Sequence, residues 1–414
     1  MFHSQPAKRD SKLAQPTPAK SRWRALAIIA GANVLAMATW FSATAVIAQV
    51  SAAFGVAPQN QGWITAALQL GFVTGAIGSS IVALPDVLEA RTLMRAGMLV
   101  AALANVAIPF AHSVPLLLVL RFFTGAGLAL VYPPAVKLLS AWFTRERGVA
   151  TGVLIGALTL GSFSPHLLSG TAISWHDVMF GSSALALIAV PIISLLPDPP
   201  VKLALTKFDL GAVPIVLKNR AVLLADSAYW GHMWELYAAW AWAPVFFQAS
   251  LAASGSTMHA GPLIFLAFGV AGAGGCIVAG VLADRFGRTV IAAAAMIVSG
   301  TLSLGIGLTF GLAPWLVFTM LVLWGFSVIA DSAQFSAAVT ELAQSAYLGT
   351  ALTLQMGVGF LITLLTIWLI GVAHLALGWQ HTFALLAVGP ALGACAMLAL
   401  RRRPEAIKMA NGRR

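Results

Sequence analysis

The chain has 414 residues, of which 59% are hydrophobic and only 9% charged. That is about a third of the charge usual in soluble domains, so a solvated surface over most of the length is excluded and a membrane protein is implied. A net charge of +11 would suggest a nucleic-acid partner in a soluble protein, but here the basic residues sit in loops beside apolar segments, where an anionic lipid leaflet meets them instead.

Residues 1–24, MFHSQPAKRDSKLAQPTPAKSRWR, are polar, basic and Pro-containing, with no short apolar core leading to an Ala-x-Ala site. They read as a disordered cytoplasmic tail and not as a signal peptide. A spanning helix needs roughly 20 apolar residues to cross about 30 Å of hydrocarbon. Six such runs lie near 25–49, 61–84, 96–111, 115–140, 148–171 and 178–196, and six more near 221–248, 260–282, 289–310, 315–340, 350–374 and 380–400. The expected fold is an all-α membrane protein of twelve transmembrane helices in two six-helix bundles, 25–196 and 221–400, joined by a polar linker at 197–220 and closed by a tail at 401–414. Every loop Lys and Arg then falls on one side: Lys8 to Arg24, Arg91 and Arg95, Arg145 and Arg147, Lys202 to Arg220, Arg285 and Arg288, and Arg401 to Arg414. Positive loops orient membrane segments, which places both termini in the cytoplasm.

In the first span Asn33, Met37 and Trp40 share a stripe that either lines a cavity or packs. The loop after the second span carries Asp86 and Arg91. In the fourth, Arg121, Gly125 and Tyr132 fall within about 40° at 100° per residue. A guanidinium there keeps its charge and suits an anionic substrate, or else forms a salt bridge between helices. Lys137, near the inner end of that span, is placed to snorkel. The fifth span carries Gly152, Gly156, Gly161, Pro165 and Gly170, the small residues that allow close helix packing in lipid.

The seventh span contains DSAYWGHMWELYAAWAW, Asp226 to Trp242. His232 and Glu235 lie about 60° apart on one face and Trp242 within about 20° of Glu235, whereas Asp226 points about 180° away. A charge at mid-membrane is costly and faces a protein interior or a watery cavity. Burial favours the protonated carboxyl. Glu235 is therefore the first candidate for carrying a proton, with His232 as relay and Asp226 the lesser candidate; the alternative is a neutral Glu hydrogen-bonded between helices. In the tenth span Trp324 and Asp331, seven apart, share a face with Gln334 one turn beyond, and Asp331 ranks second for proton coupling. Cys276 and Cys395 lie inside predicted helices with no CxxC spacing, so neither a disulfide framework nor a zinc site is expected.

The two halves carry a repeat. GVLADRFGRT, Gly280 to Thr289, follows the eighth span and ALPDVLEART, Ala83 to Thr92, follows the second; Leu-x-Asp and a later Arg-Thr recur about 198 positions apart. RGVATG at Arg147 to Gly152 and LGTALT at Leu348 to Thr353 recur at nearly the same offset. On these residues the chain resembles the major facilitator superfamily over about 25–400. Gly280-x-Leu282-Ala283-Asp284-Arg285-x-Gly287-Arg288 is similar to that family's signature cytoplasmic loop. The first-half copy keeps Asp86 and Arg91 but lacks the leading Gly and the Asp-Arg pair. Arg121 to Gly127, RFFTGAG, is similar to its fourth-helix pattern of Arg followed four residues later by Gly. The fifth-span glycines are loosely similar to the pattern of the family's exchangers, without its Gly-Pro pair.

The resemblance implies alternating access and a gating role for Asp284, Arg285, Gly287 and Arg288, with Asp86 and Arg91 as the first-half equivalents. Gly serves where backbones crowd, Asp284 can cap a neighbouring helix, and Arg285 and Arg288 can meet carboxylates at helix ends, Glu341 among them. Such contacts must break when that face opens; the plainer reading is that the arginines only orient the helix hairpin.

No HExxH, Gly-x-Ser-x-Gly or phosphate-binding Gly-Lys loop is present, so no enzyme and no ATP-driven pump is expected. A channel would more naturally be a symmetric oligomer around a filter. A metal carrier built on His232, Met233 and His259 lacks a common ligand face. The expectation is a secondary transporter of the bacterial-type inner membrane, monomeric and without cofactor or metal, that uses protons and moves a small organic anion. Asn33, Trp40, Arg121, Tyr132, Trp242, Trp324 and Gln334 are its candidate substrate contacts. The alternatives are an efflux carrier for amphipathic or aromatic compounds, held by Trp40, Trp234, Trp242 and Trp324, and a non-transporting membrane sensor.

Overall fold

The computed structural model describes residues 19–82, 84–143, 146–169, 173–200 and 209–414, and every regular element among them is helical. Residues 1–18 of the expected tail and 201–208 of the expected linker lie outside that set. The first helix, α1, runs over Ala19–Met37, so the basic segment Lys20 to Arg24 that was expected in the tail is already helical. Next come α2 (Pro58–Ile81), α3 (Ala90–Phe110), α4 (Val114–Trp142), α5 (Gly148–Leu167) and α6 (Trp175–Ser194). The second half has α7 (Arg220–Ala253), α8 (Ala260–Phe286), α9 (Arg288–Thr309), α10 (Pro314–Leu342), α11 (Ser345–Leu377) and α12 (Trp379–Arg401).

All of these except α1 and α7, ten among the described residues, are long and apolar enough to cross a membrane. Basic residues open α1, which continues through Ser42–Ala45 and Ile47–Phe54 after a break. The 34 residues of α7 form one helix about 50 Å long; its Asp, His and Glu dilute the hydropathy that its length would otherwise supply.

Pairings repeat at an offset of six helices. In the N-terminal half α2 packs on α4, α3 on α6, and α1 on α5 and α6; in the C-terminal half α8 packs on α10, α9 on α12, and α7 on α11 and α12. The halves meet through α5 on α8 and α2 on α11, two contacts that the same repeat interconverts. Reciprocal glycines show the equivalence in detail. A Cβ at Gly71 of α2 would lie 1.8 Å from the Phe122 carbonyl oxygen, and one at Gly125 of α4 would lie 1.9 Å from that of Leu68. In the second half Gly275 stands the same way against Phe326 and Gly325 against Ala267, at 2.0 and 2.1 Å. Backbones this close exclude any side chain, and dispersion between them holds helices together where lipid supplies no hydrophobic drive.

Three helices are interrupted along their length: α1 at 38–41, α4 between Ala129 and Tyr132, and α10 between Val328 and Ser332. In α4 the cause is Pro133 and Pro134, whose rings clash with the carbonyls four residues back. The α4 and α10 breaks lie about 200 positions apart, in step with the repeat.

Candidate functional site

In the C-terminal half the polar residues of α7 meet those of α10 in antiparallel register. Glu235 is buried, and its Oε1 accepts a hydrogen bond from Trp324 Nε1 at 2.8 Å while its Oε2 accepts one from Ser299 Oγ of α9, also at 2.8 Å. One turn toward the basic face, His232 Nδ1 stands 2.9 Å from Asp331 Oδ1, both side chains 2% exposed. That approach is close enough for an ion pair, and among the described residues neither Asp331 Oδ1 nor His232 Nε2 has an aligned hydrogen-bond partner. Asp331 sits at the α10 break, directly before Ser332. Asp226 faces a different neighbour: its Oδ1 accepts from Gln355 Nε2 of α11 at 3.0 Å, and its Oδ2 is unpartnered. Two acids of α7 and one of α10 are thus held in the interior of one half, each against different neighbours.

The N-terminal half holds the opposite charge. Arg121 is fully buried, and its guanidinium donates to the carbonyls of Thr39 at 3.1 Å, Trp40 at 2.5 Å and Ile64 at 3.3 Å, and to Ser42 Oγ at 3.4 Å. The Thr39 and Trp40 carbonyls are those that the α1 break leaves without helical partners. At membrane depth such groups must be satisfied by protein, and Arg121 satisfies them. It has no carboxylate partner among the described residues. The salt bridge offered as its alternative role is therefore replaced by backbone acceptors. Tyr132 does not continue the Arg121–Gly125 face, because the proline-imposed break starts a new helix at that residue. Asn33 is buried with both polar side-chain atoms unpartnered.

Two expected contacts lie elsewhere. Trp242 does not join Glu235. Its indole donates to the Ile367 carbonyl at 2.9 Å, and its ring wedges between Gly371 of α11 and Gly62 of α2, at the end of the protein opposite the basic loops. Gln334 accepts from Arg288 at 3.2 Å and belongs to the basic face.

On that basic face Arg288 makes a two-pronged contact with Glu341, Nε to Oε2 at 2.9 Å and Nη2 to Oε1 at 2.8 Å. Asp284 accepts from the Gly148 backbone N–H at the start of α5, a bond between the two halves. Gly287 takes φ 100°, and a Cβ there would lie 2.0 Å from the Arg414 carbonyl oxygen. Arg285 is exposed and lies over the Phe286 ring at 5.2 Å instead of meeting a carboxylate. In the first half Arg91 contacts Asp198 and the Leu196 carbonyl beyond α6; the Asp86 side chain lies outside the described residues. The expected second tail folds back onto this cluster. Ala406 and Met409 are buried, the Ala410 N–H donates to Glu341 Oε2 at 3.1 Å, and Arg413 donates to the Asp284 carbonyl. Nothing in the sequence marked this strap except Ala406 and Met409 among its charges.

Between the halves lies a layer of rings. Trp40, Phe41, Phe72 and Phe163 of the N-terminal half pair with Tyr237, Trp240, Phe268 and Phe360 of the C-terminal half. Trp40 is stacked on Tyr237 at 5.7 Å, Phe72 meets Phe360 at 4.7 Å, and Phe163 meets Trp240 at 5.2 Å edge to face. Of these, only Trp40 was a sequence candidate. Phe41 adjoins it and Tyr237 and Trp240 lie in the aromatic stretch of the seventh span, but nothing local signals that these rings share an interface.

A family model described as Major Facilitator Superfamily matches residues 29–365. Among curated proteins, the chain is 25% identical over 255 residues to "Probable anion transporter 1, chloroplastic" of Oryza sativa subsp. japonica, covering 56% of this chain and 47% of that protein. It is 24% identical over 255 residues to "Sodium-dependent phosphate transport protein 1, chloroplastic" of Arabidopsis thaliana, covering 56% and 49%. It is 25% identical over 230 residues to "Probable anion transporter 4, chloroplastic" of Oryza sativa subsp. japonica, covering 50% and 38%. The chain thus spans about half the length, or less, of the curated relatives it matches.

Proposed function

The chain belongs to the major facilitator superfamily, and on that premise we propose that it is a proton-coupled secondary transporter that moves a small organic anion by alternating access. Arg121 carries the anion part of this reading. It is a permanent cation, fully buried and without a carboxylate partner among the described residues. Burying an uncompensated charge costs several kcal/mol, and the carbonyl dipoles of the α1 break offset only part of that. An anion entering between the halves would lower the remainder, so the positive half is preorganised for one. The names of the relatives, which include anion and phosphate transport, support the same choice of charge.

The proton part rests on Glu235 and on Asp331 with His232. Each of these side chains is buried in this structure, and opening of the surrounding helices would bring it to water, the change of surroundings that a proton carrier needs. The acids lie in one half and the cation in the other, so a substrate bridging the halves is sensed by both. On the basic face, Asp284 on the α5 N-terminus is a contact that must break for that face to open, and the Trp242 wedge is its counterpart at the opposite face. The clustering of Lys and Arg favours a cytoplasmic basic face in an inner membrane.

Purified protein in proteoliposomes under an imposed pH gradient tests this reading, with the tracer chosen from a thermal-shift panel of organic anions, inorganic phosphate and neutral amphiphiles. Proton-driven anion accumulation is expected. Uptake that ignores the pH gradient removes the coupling, and stabilisation by neutral amphiphiles alone removes the anion.

A further inference from the structure

The donors left over in the aromatic layer differ sharply from those around it. Four indole N–H groups of the C-terminal half are spent: Trp230 donates to the Gln355 carbonyl, Trp234 to that of Leu385, Trp242 to that of Ile367, and Trp324 to Glu235. Among the described residues three indole Nε1 atoms are buried without a partner, that of Trp142 on α4 and those of Trp40 and Trp240, and the last two rings, at most 1% exposed, both stand in the aromatic layer. These two tryptophans come from opposite halves and flank Tyr237, at 5.7 Å from Trp40 and 5.3 Å from Trp240. Trp240 packs in turn on Phe163, and Phe163 also lies against the buried ring of His166, which has no side-chain hydrogen-bond partner among the described residues. A buried N–H without an acceptor is costly, and its survival at two rings of one interface calls for a reason.

Alternating access supplies the reason. When the halves part, the Trp40–Tyr237 stack opens and each ring loses a face. A flat unsaturated ring inserted there restores the stacking that a saturated one cannot, because ring quadrupoles favour planar partners. A carboxylate on that ring accepts from the indole N–H groups of Trp40 and Trp240, which have no acceptor in the closed protein. His166, with one nitrogen to donate and one to accept, offers a further contact at the same layer. We infer that the transported anion is a planar aromatic carboxylate, bound between Trp40 of one half and the Tyr237–Trp240 pair of the other. This rests on the anion-transport reading above and narrows its substrate class.

The test uses purified full-length protein and four probes: benzoate, its saturated counterpart cyclohexanecarboxylate, its neutral counterpart benzamide, and inorganic phosphate. Binding is read by quenching of intrinsic tryptophan fluorescence and by calorimetry. Benzoate is expected to bind at least about tenfold more tightly than cyclohexanecarboxylate. Trp240→Phe keeps the ring contacts with Phe41 and Phe163 but removes the donor, and should weaken benzoate about ten- to a hundredfold, the value of a hydrogen bond to a charged group. Equal affinity for the flat and saturated acids overturns the inference and leaves the rings as packing. Phosphate binding without benzoate binding also overturns it, while the anion-transport reading stands. Benzamide binding as tightly as benzoate overturns the carboxylate contact and the anion reading together. The probe comparison needs no variant, so a folding defect in Trp240→Phe leaves it decisive.

Discussion

Glu235→Gln separates proton carriage from packing, because the structure allows glutamine to take over both hydrogen bonds. Trp324 Nε1 can only donate, so the amide oxygen must face it, and Ser299 Oγ can turn from donor to acceptor to receive the amide N–H. The variant should therefore lose little stability, less than about 1 kcal/mol. Glu235→Ala strands the buried Trp324 indole N–H at about 1–3 kcal/mol before any cavity is counted, whereas Ser299 Oγ keeps the Met296 carbonyl as acceptor. Thermal unfolding in detergent reads this contrast. In proteoliposomes, Glu235→Gln should exchange substrate across the membrane at near wild-type rates yet fail to accumulate it against a gradient, because a fixed amide can mimic the protonated carboxyl but cannot release a proton. His232→Ala should lose less, with a shifted pH dependence, since water can bypass a relay. If Glu235→Gln accumulates substrate with normal pH dependence, Glu235 is structural, and the same experiment on Asp331→Asn decides whether the proton role belongs there.

Arg121→Ala should abolish anion binding and also destabilise the α1 break, since the Trp40 carbonyl loses its donor at about 1–3 kcal/mol while the Thr39 carbonyl keeps Ser42 Oγ; Arg121→Lys should recover part of the binding, and calorimetry showing full affinity in the alanine variant would remove the cation from the substrate site. Asp284→Asn or Arg288→Ala should leave the protein folded and slow transport, the first by weakening the Gly148 bond between halves and the second by freeing Glu341, and unchanged uptake in both would remove this cluster from the mechanism. Gly287→Ala should cost roughly 1–3 kcal/mol, because φ 100° is strained for any side chain and the new Cβ meets the Arg414 carbonyl; limited proteolysis should then cut the C-terminal strap sooner, and unaltered protection would refute the crowding argument.

What could be read along the chain was what depends on near neighbours. Composition and runs of apolar residues define the spans, because crossing hydrocarbon is a property of about 20 consecutive residues. The offset repeat announced two equivalent halves. Buried acids stood out because mid-span charge is rare, and the i, i+3 spacing of His232 with Glu235 placed that pair on one helix face; the i, i+7 spacing of Trp324 with Asp331 assumed a continuous helix, which the break after Val328 interrupts. That Glu235 meets Trp324 and His232 meets Asp331 is a matter of which helices pack, and only tertiary structure decides it. The same holds for Arg121, whose acceptors are carbonyls of a break in α1 about 80 residues away, and α1 contains no proline to announce that break. Trp242 left the Glu235 site because α2 and α11 offer it two glycines, and Trp240 entered the central layer because Phe41 and Phe163 face it from the other half. Local periodicity assigns a side chain to a face of its own helix; what stands opposite that face is chosen by the packing of segments distant in sequence.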